Sequence, residues 1–233
     1  MQAIILAGGK GTRLQSVLKD VPKALAIIRN QPFLDYLLQF LHHQGVTHFI
    51  FSLGHQHQQI VDYLNAKEKT WTYTCVIEEQ ALGTGGAVKN ALGSATNSDV
   101  WVVNADTYLD INLKAMYQQH IENNAVATIA LKEMNNFDRY GLIQIDQANC
   151  ITSFEEKRPC ERGLINAGFF IINKIQFLNA TMGKEVFSIE SDFFETQIST
   201  NSIYGFETKG FFIDIGIPED FERAQELLPK LAL

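Results

Sequence analysis

With 233 residues, the chain is long enough for one large domain or two small ones, and 46% hydrophobic against 19% charged residues excludes intrinsic disorder. A formal net charge of −7 offers no overall field for nucleic acid or an acidic lipid surface, so an anionic ligand must be held by a local arrangement. The three cysteines, Cys75, Cys150 and Cys160, form no Cys-x-x-Cys pair and are odd in number, which argues against a disulfide framework and for a reducing compartment.

Gln2–Leu6 is a short apolar run that leads into glycines and reads as a buried strand. It is too short for a signal peptide, and no later run approaches membrane-spanning length, so the expected setting is cytoplasmic, with no membrane partner. Phe33–Leu41 places Phe33, Leu34, Leu37, Leu38 and Leu41 on one helical face, with Gly45 as the stop. Val46–Leu53 reads as a strand, Gln58–Leu64 as a helix, Tyr73–Ile77 as a strand and Ala87–Leu92 as a helix. Val100–Val103 follows as a central strand, Leu113–Ile121 as a helix and Val126–Leu131 as a strand. This alternation implies a mixed, mainly parallel sheet with helices on both faces, an α/β fold. Further on, Leu142–Ile145, Ile151–Phe154, Ala167–Ile172 and Ser202–Phe206 read as strands, Phe193–Ile198 and Glu219–Leu228 as helices, the last opened by Pro218. No linker, repeat or low-complexity stretch divides the chain, so one domain over residues 1–233 is expected.

The first strand runs into Ala7-Gly8-Gly9-Lys10-Gly11-Thr12-Arg13-Leu14. Glycines without Cβ let backbone N–H groups approach a phosphate closely, and Arg13 can grip phosphate oxygens with two prongs. Up to Lys23 the chain carries four basic residues and one acid, inside a chain that is acidic overall. The dinucleotide fingerprint fails because Leu14 stands where its third glycine belongs. The P-loop pattern fails because Gly11 follows Lys10.

Together with Val21-Pro22-Lys23, this opening resembles that of the sugar-phosphate nucleotidyltransferases. The resemblance continues, in the family's order, through Glu78-Glu79, Leu82-Gly83-Thr84-Gly85-Gly86-Ala87, Asn104-Ala105-Asp106, Glu155-Glu156-Lys157, Leu164-Ile165-Asn166-Ala167-Gly168 and Phe212-Ile213-Asp214-Ile215-Gly216-Ile217-Pro218-Glu219-Asp220. Within the family the sequence is similar to the D-glycero-D-manno-heptose 1-phosphate guanylyltransferases. Ala24, Ser16-Val17-Leu18 and Ala105 depart from residues common in the family at those places.

The resemblance implies a Rossmann-like fold of the nucleotide-diphospho-sugar transferase type, with residues 1–125 mainly binding nucleotide and 126–233 mainly binding sugar phosphate. It implies GMP transfer from GTP to a sugar 1-phosphate, the heptose favoured, for surface polysaccharide or S-layer glycan precursors. Leu6, Ala7, Gly8, Gly9, Gly11, Thr12 and Arg13 would cradle the triphosphate, and Glu78, Gly83 and Thr84 would enclose the base. Arg13 would face the β- and γ-phosphates, and Lys23 the α-phosphate or the sugar phosphate. Asp106 and Asp214 would hold Mg²⁺ between them. Tyr140, Gly141, Glu156, Lys157 and Asn166 would take the sugar phosphate, Lys157 neutralising its charge and Glu156 accepting from hydroxyls. A phosphate monoester is already an ionised nucleophile, which agrees with the lack of a Ser-His-Asp or Cys-His pattern. Mannose 1-phosphate is the alternative substrate; a non-catalytic nucleotide-binding module and a dinucleotide-dependent oxidoreductase are the readings from other classes. Homo-oligomerisation is left open.

Overall fold

The computed structural model describes residues 1–9, 11, 14, 18, 20–200 and 202–230. Arg13 and Thr12, two of the expected phosphate contacts, lie outside the described residues.

The strands of the N-terminal half are β1 (Gln2–Ala7), the short hairpin β2 (Ile27–Ile28) and β3 (Gln31–Pro32), β4 (His48–Leu53), β5 (Thr72–Ile77) and β6 (Asp99–Asn104). They are followed by β7 (Thr107–Leu109), β8 (Ala127–Phe137), β9 (Leu142–Ile145), β10 (Ile151–Glu155), β11 (Cys160–Asn173), β12 (Ile203–Thr208) and β13 (Phe212–Asp214). The helices are α1 (Phe33–His43), α2 (His57–Ala66), α3 (Gly83–Leu92), α4 (Leu113–Glu122), α5 (Lys174–Ala180), the single turn α6 (Glu195–Gln197) and α7 (Pro218–Leu227).

In the main sheet β5, β4, β1 and β6 lie side by side and parallel. The direction reverses at β11, which is antiparallel to β6, β8 and β9, and β12 closes that side parallel to β8. Period-2 alternation sends one set of side chains to each face. Ile5, Phe49, Phe51, Trp101, Val103 and Phe169 meet the apolar stripes of α1, α2 and α4. Ile4, Ile50, Val100, Val102, Phe170 and Ile172 meet α3, α5 and the Phe187–Phe194 stretch. Phe169, Phe170, Phe177, Phe187, Phe193 and Phe194 of the C-terminal half are thus core residues, all buried.

The turn after α1 shows why that helix ends where it does. Gly45 takes φ +96°, its N–H donates to the His42 carbonyl, and the Val46 N–H donates to the Leu41 carbonyl. This is a Schellman closure, which needs a residue tolerant of positive φ at that point.

Five elements go beyond the sequence reading: the two strands of the β2–β3 hairpin, β7, α5 and β13. α5 has only seven residues and follows β11 without a break. β7 and β13 have three residues each and pair antiparallel, with Thr107 opposite Asp214. No helix among the described residues is long and apolar enough to cross a membrane.

Beneath α4 lies a buried polar group unconnected with the site. His120, 1% exposed, pairs Nδ1 with Thr128 Oγ1 at 2.9 Å and sets Nε2 3.4 Å from Asp99 Oδ1. Burial pushes its pKa below the ordinary 6.5, outweighing the pull of Asp99. The unfolded chain therefore takes up this proton first. His120 contributes stability that is complete above pH 6.5 and is lost as the pH falls through the lowered folded value. His120→Gln should flatten the pH slope of unfolding free energy below pH 6.5 by up to about 1.4 kcal/mol per pH unit, one proton's worth. Urea unfolding at several pH values measures this, and parallel slopes for the two proteins would contradict it.

Candidate active site

The parallel strands β1, β4 and β6 end on the same edge of the sheet, where open α/β sheets bind ligands. Their C-terminal continuations deliver Gly8, Gly54 and Asn104-Ala105-Asp106 to that edge. The Gly8 and Gly54 turns touch: a Cβ on Gly54 would stand 2.8 Å from the Gly8 carbonyl oxygen. A Cβ on Gly8 would meet Glu78 Oε1 at 3.3 Å, so the glycine turn lies directly beside Glu78. Gly9, Gly11, Pro22, Lys23, His55 and Gln56 border a hollow of about 420 Å³ next to it.

Asp106 and Asp214 are brought together by β7 and β13. Thr107 faces Asp214 in that ladder, and the Ile215 N–H donates to the Asp106 carbonyl at 3.0 Å. Two residues 108 apart in sequence become lateral neighbours, carried by backbone hydrogen bonds rather than by loops. Asp214 Oδ1 accepts the Gly216 N–H at 2.7 Å, and Tyr140 donates its hydroxyl to Oδ2 at 3.3 Å. Lys23 Nζ lies 2.6 Å from Asp106 Oδ2, with side-chain exposures of 16% and 31%. The ammonium expected to face phosphate is therefore held by the first carboxylate. It partly offsets the charge that the two acids place side by side.

The offset is incomplete. Burial and the neighbouring Asp106 raise the Asp214 pKa above the usual carboxylate range, against the opposing effects of Lys23, Gly216 and Arg139. A pair of like charges that destabilise each other, with Asp214 lining a cleft and the Asp106 side chain 31% exposed beside it, is a donor set suited to a divalent cation. Mg²⁺ takes one or two carboxylates plus phosphate oxygens and water, so Asp106 and Asp214 fit it without a third protein ligand.

On the far side of Asp214 opens a cleft of about 660 Å³. Tyr140, Gly141, Glu156, Lys157 and Asn166, all expected to take the sugar phosphate, line it together. Glu155 is occupied by Arg158 at 2.7 Å and by Gln144, which leaves Glu156 and Lys157 as the exposed acid–base pair at the rim. Gly141 is required there because a Cβ would sit 2.7 Å from the Glu155 carbonyl oxygen.

Several lining residues were not legible in the sequence. Arg139 pairs with Asp220 of α7, and its guanidinium lies over the Tyr140 ring, 5.4 Å from the centroid. The second Asp220 oxygen accepts from Arg223 at 2.7 Å. Asp220 is thereby a buried anchor that aligns Arg139 and, through it, Tyr140 against Asp214. Glu190, Ser191 and Glu195 also reach the cleft, on a π-turn (Glu190–Phe194) that runs into α6. In the sequence these look like ordinary polar surface residues. Only the buried Phe193 and Phe194 beside them give a cue to an anchored segment.

The Leu82–Gly86 stretch, where Gly83 and Thr84 are expected to enclose the base, packs closely against a later segment of the chain. A Cβ on Gly83 would stand 2.5 Å from the Phe187 carbonyl oxygen, on Gly85 2.2 Å from the Phe187 ring, and on Gly86 2.2 Å from the Glu185 carbonyl oxygen. The Gly85 and Gly86 N–H groups donate to the Phe187 carbonyl, and Thr84 Oγ1 accepts the Ile189 N–H at 2.9 Å. The glycines make room for segment 185–189, which caps the first turn of α3. Glu78 is held nearby, accepting from Ser52 Oγ at 3.0 Å and from the Leu82 N–H at 3.4 Å. Ser52, fully buried, carried no signal in the sequence.

The site thus joins a glycine turn, an acidic pair with a lysine bound to its first member, and a polar cleft. Across the chain, the sequence model of the nucleotidyl transferase family matches residues 2–230. The chain belongs to the nucleotidyl transferase family. This nucleotidyltransferase is 40% identical over 228 residues to the D-glycero-alpha-D-manno-heptose 1-phosphate guanylyltransferase of Aneurinibacillus thermoaerophilus, covering 98% of each chain. It is 38% identical over 221 residues to the Campylobacter jejuni protein of the same name, covering 95% of this chain and 97% of that one. Its fold matches the crystal structure of HddC from Yersinia pseudotuberculosis with a TM-score of 0.87 at 37% identity, over 97% and 98% of the two chains. HddC complexed with GMP-PN matches with a TM-score of 0.85. The nucleotidyltransferase is therefore a sugar-1-phosphate nucleotidyltransferase on a Rossmann-like mixed sheet, grouped by these relatives with the sugar-phosphate guanylyltransferases.

Proposed function

We propose that the chain transfers GMP from GTP to D-glycero-α-D-manno-heptose 1-phosphate, giving GDP-heptose and pyrophosphate for nucleotide-sugar biosynthesis. The observation that carries this reading is the Asp106–Asp214 pair, set by β7 and β13 between the glycine turn and the cleft that holds Lys157. Full-length similarity to two heptose 1-phosphate guanylyltransferases supports the choice of base and sugar. A cytoplasmic location goes with both substrates.

A phosphate oxygen of the sugar 1-phosphate attacks the α-phosphorus of GTP; the new P–O bond forms as the bond to the β-phosphate oxygen breaks, and pyrophosphate leaves with that electron pair. The obstacle is repulsion between two anions, so orientation and charge neutralisation supply the acceleration. When bound, Mg²⁺ held by Asp106 and Asp214 supplies positive charge at the α-phosphate. Lys23 keeps a second positive charge at the reacting centre, and Lys157 at the rim receives the incoming sugar phosphate. The glycine turn, with Arg13, takes the triphosphate. Tyr140, steadied by Arg139, orients Asp214. Glu78, its orientation set by Ser52, accepts the N–H donors of the guanine edge. In this reading residues 1–125 mainly bind nucleotide and 126–233 mainly bind sugar phosphate within one domain, although Asp214 and segment 185–189 reach back across that division.

A pyrophosphate-release panel tests the reading: GTP, ATP, CTP and UTP against heptose, mannose, glucose and N-acetylglucosamine 1-phosphates, with and without Mg²⁺. GTP with the heptose 1-phosphate should be fastest, and chelation should abolish it. Faster turnover with UTP, or with mannose 1-phosphate, would overturn the base or the sugar assignment respectively.

A further inference from the structure

Asn166 has less left for a ligand than its chemistry allows. Its Oδ1 accepts the Gly168 N–H at 2.9 Å, and its Nδ2 donates one hydrogen to Glu190 Oε1 at 2.9 Å. Both ends of this chain are fixed. Gly168 sits at φ +74°, where a Cβ would meet Asn104 Nδ2 at 2.8 Å. Glu190 follows Ile189, tied to Thr84, and precedes the buried Phe193 and Phe194. Among the described residues, no hydrogen bond takes the second Nδ2 hydrogen of Asn166 or the Oε2 of Glu190, and both residues line the cleft.

These two free positions make a complementary pair. A hydroxyl lying between them accepts from Asn166 and donates to Glu190, which uses both of its hydrogen-bonding functions. A carboxylate repels phosphate, so Glu190 faces the neutral polyol part of the substrate while Lys157 takes the charged end. We infer that Glu190, held by Asn166, is a specificity-determining residue that accepts a hydrogen bond from one hydroxyl of the sugar 1-phosphate. The inference rests on the sugar 1-phosphate reading of the cleft.

The test takes the sugar 1-phosphate that wild-type enzyme turns over fastest, together with its mono-deoxy analogues. Glu190→Gln keeps size and a partner for Asn166 but removes the charged acceptor. It should lower kcat/KM for the sugar 1-phosphate about 10- to 100-fold, the range of a hydrogen bond to a charged group. KM for GTP and the Tm should stay near wild type. For the one analogue that lacks the bonded hydroxyl, wild type should lose a similar factor and the variant nothing more, as a double-mutant cycle requires. An unchanged kcat/KM in Glu190→Gln, or the same loss against every deoxy analogue, overturns the inference and marks Glu190 as purely structural. No turnover of any sugar 1-phosphate by wild type would sink the underlying reading instead, and is seen before any variant is compared.

Discussion

Asp106→Asn should lose about three orders of magnitude in kcat, with a Tm close to that of wild type. Asparagine keeps the size and one oxygen but not the charge, so both the Lys23 ion pair and half of the cation's anionic ligation go. Such an interaction contributes several kcal/mol in the transition state, and about 4 kcal/mol corresponds to a factor near 10³. Asp214→Asn should lose a similar factor, yet its Tm should rise above that of wild type. The folded pKa of Asp214 is raised, so its charged form is disfavoured in the native state. Stability tied to this group is complete below the unfolded pKa and is lost as the pH rises through the folded one, which leaves a deficit at pH 7. The neutral amide still accepts from Gly216 and removes the deficit, so Asp214→Asn should melt higher than wild type in the absence of metal. Added Mg²⁺ with GTP should raise the wild-type Tm and leave the variant nearly unmoved. Pyrophosphate release and thermal melts read both outcomes. Activity of either variant within tenfold of wild type would end the metal assignment.

The second large effect concerns packing rather than chemistry. Gly86→Ala places a Cβ 2.2 Å from the Glu185 carbonyl oxygen and 2.9 Å from Leu82 Cβ, and a backbone atom cannot swing aside. Overpacking of this kind costs about 2–4 kcal/mol, which for a chain of this length lowers the Tm by roughly 5–15 °C. Displacing segment 185–189 also moves Glu190, Ser191 and Glu195, so KM for the sugar 1-phosphate should rise along with KM for GTP. If Gly86→Ala instead kept its Tm and raised only KM for GTP, the glycine would serve close approach of a ligand rather than packing.

That contrast marks how far the residues could be read without the fold. The parallel half was legible because Ile5, Phe49, Trp101 and their neighbours alternate cleanly, and α1 carries both its apolar stripe and its Gly45 stop. β8 and β11 run past their expected ends into Lys132–Phe137 and Cys160–Asn166, where most residues are polar and at least partly exposed and no long apolar run signals a strand. β7 and β13 are too short for any period to show, although they join the two aspartates. The residues expected to take the sugar phosphate line one cleft together. Arg139, Ser52 and Glu190 were not legible, because their place depends on Asp220, Glu78 and Asn166, contacts between residues far apart in the chain.

The β7–β13 ladder also sets a schedule. While the ribosome is still adding residues beyond 200, the emerging chain already holds Asp106 but has not yet made its partner at 214. Until that last strand docks, Asp214 does not stand beside Asp106, and the acidic pair on which the proposed reaction depends is not assembled. Proteolysis or local melting of that single three-residue strand would switch the finished protein off while most of its core stayed intact.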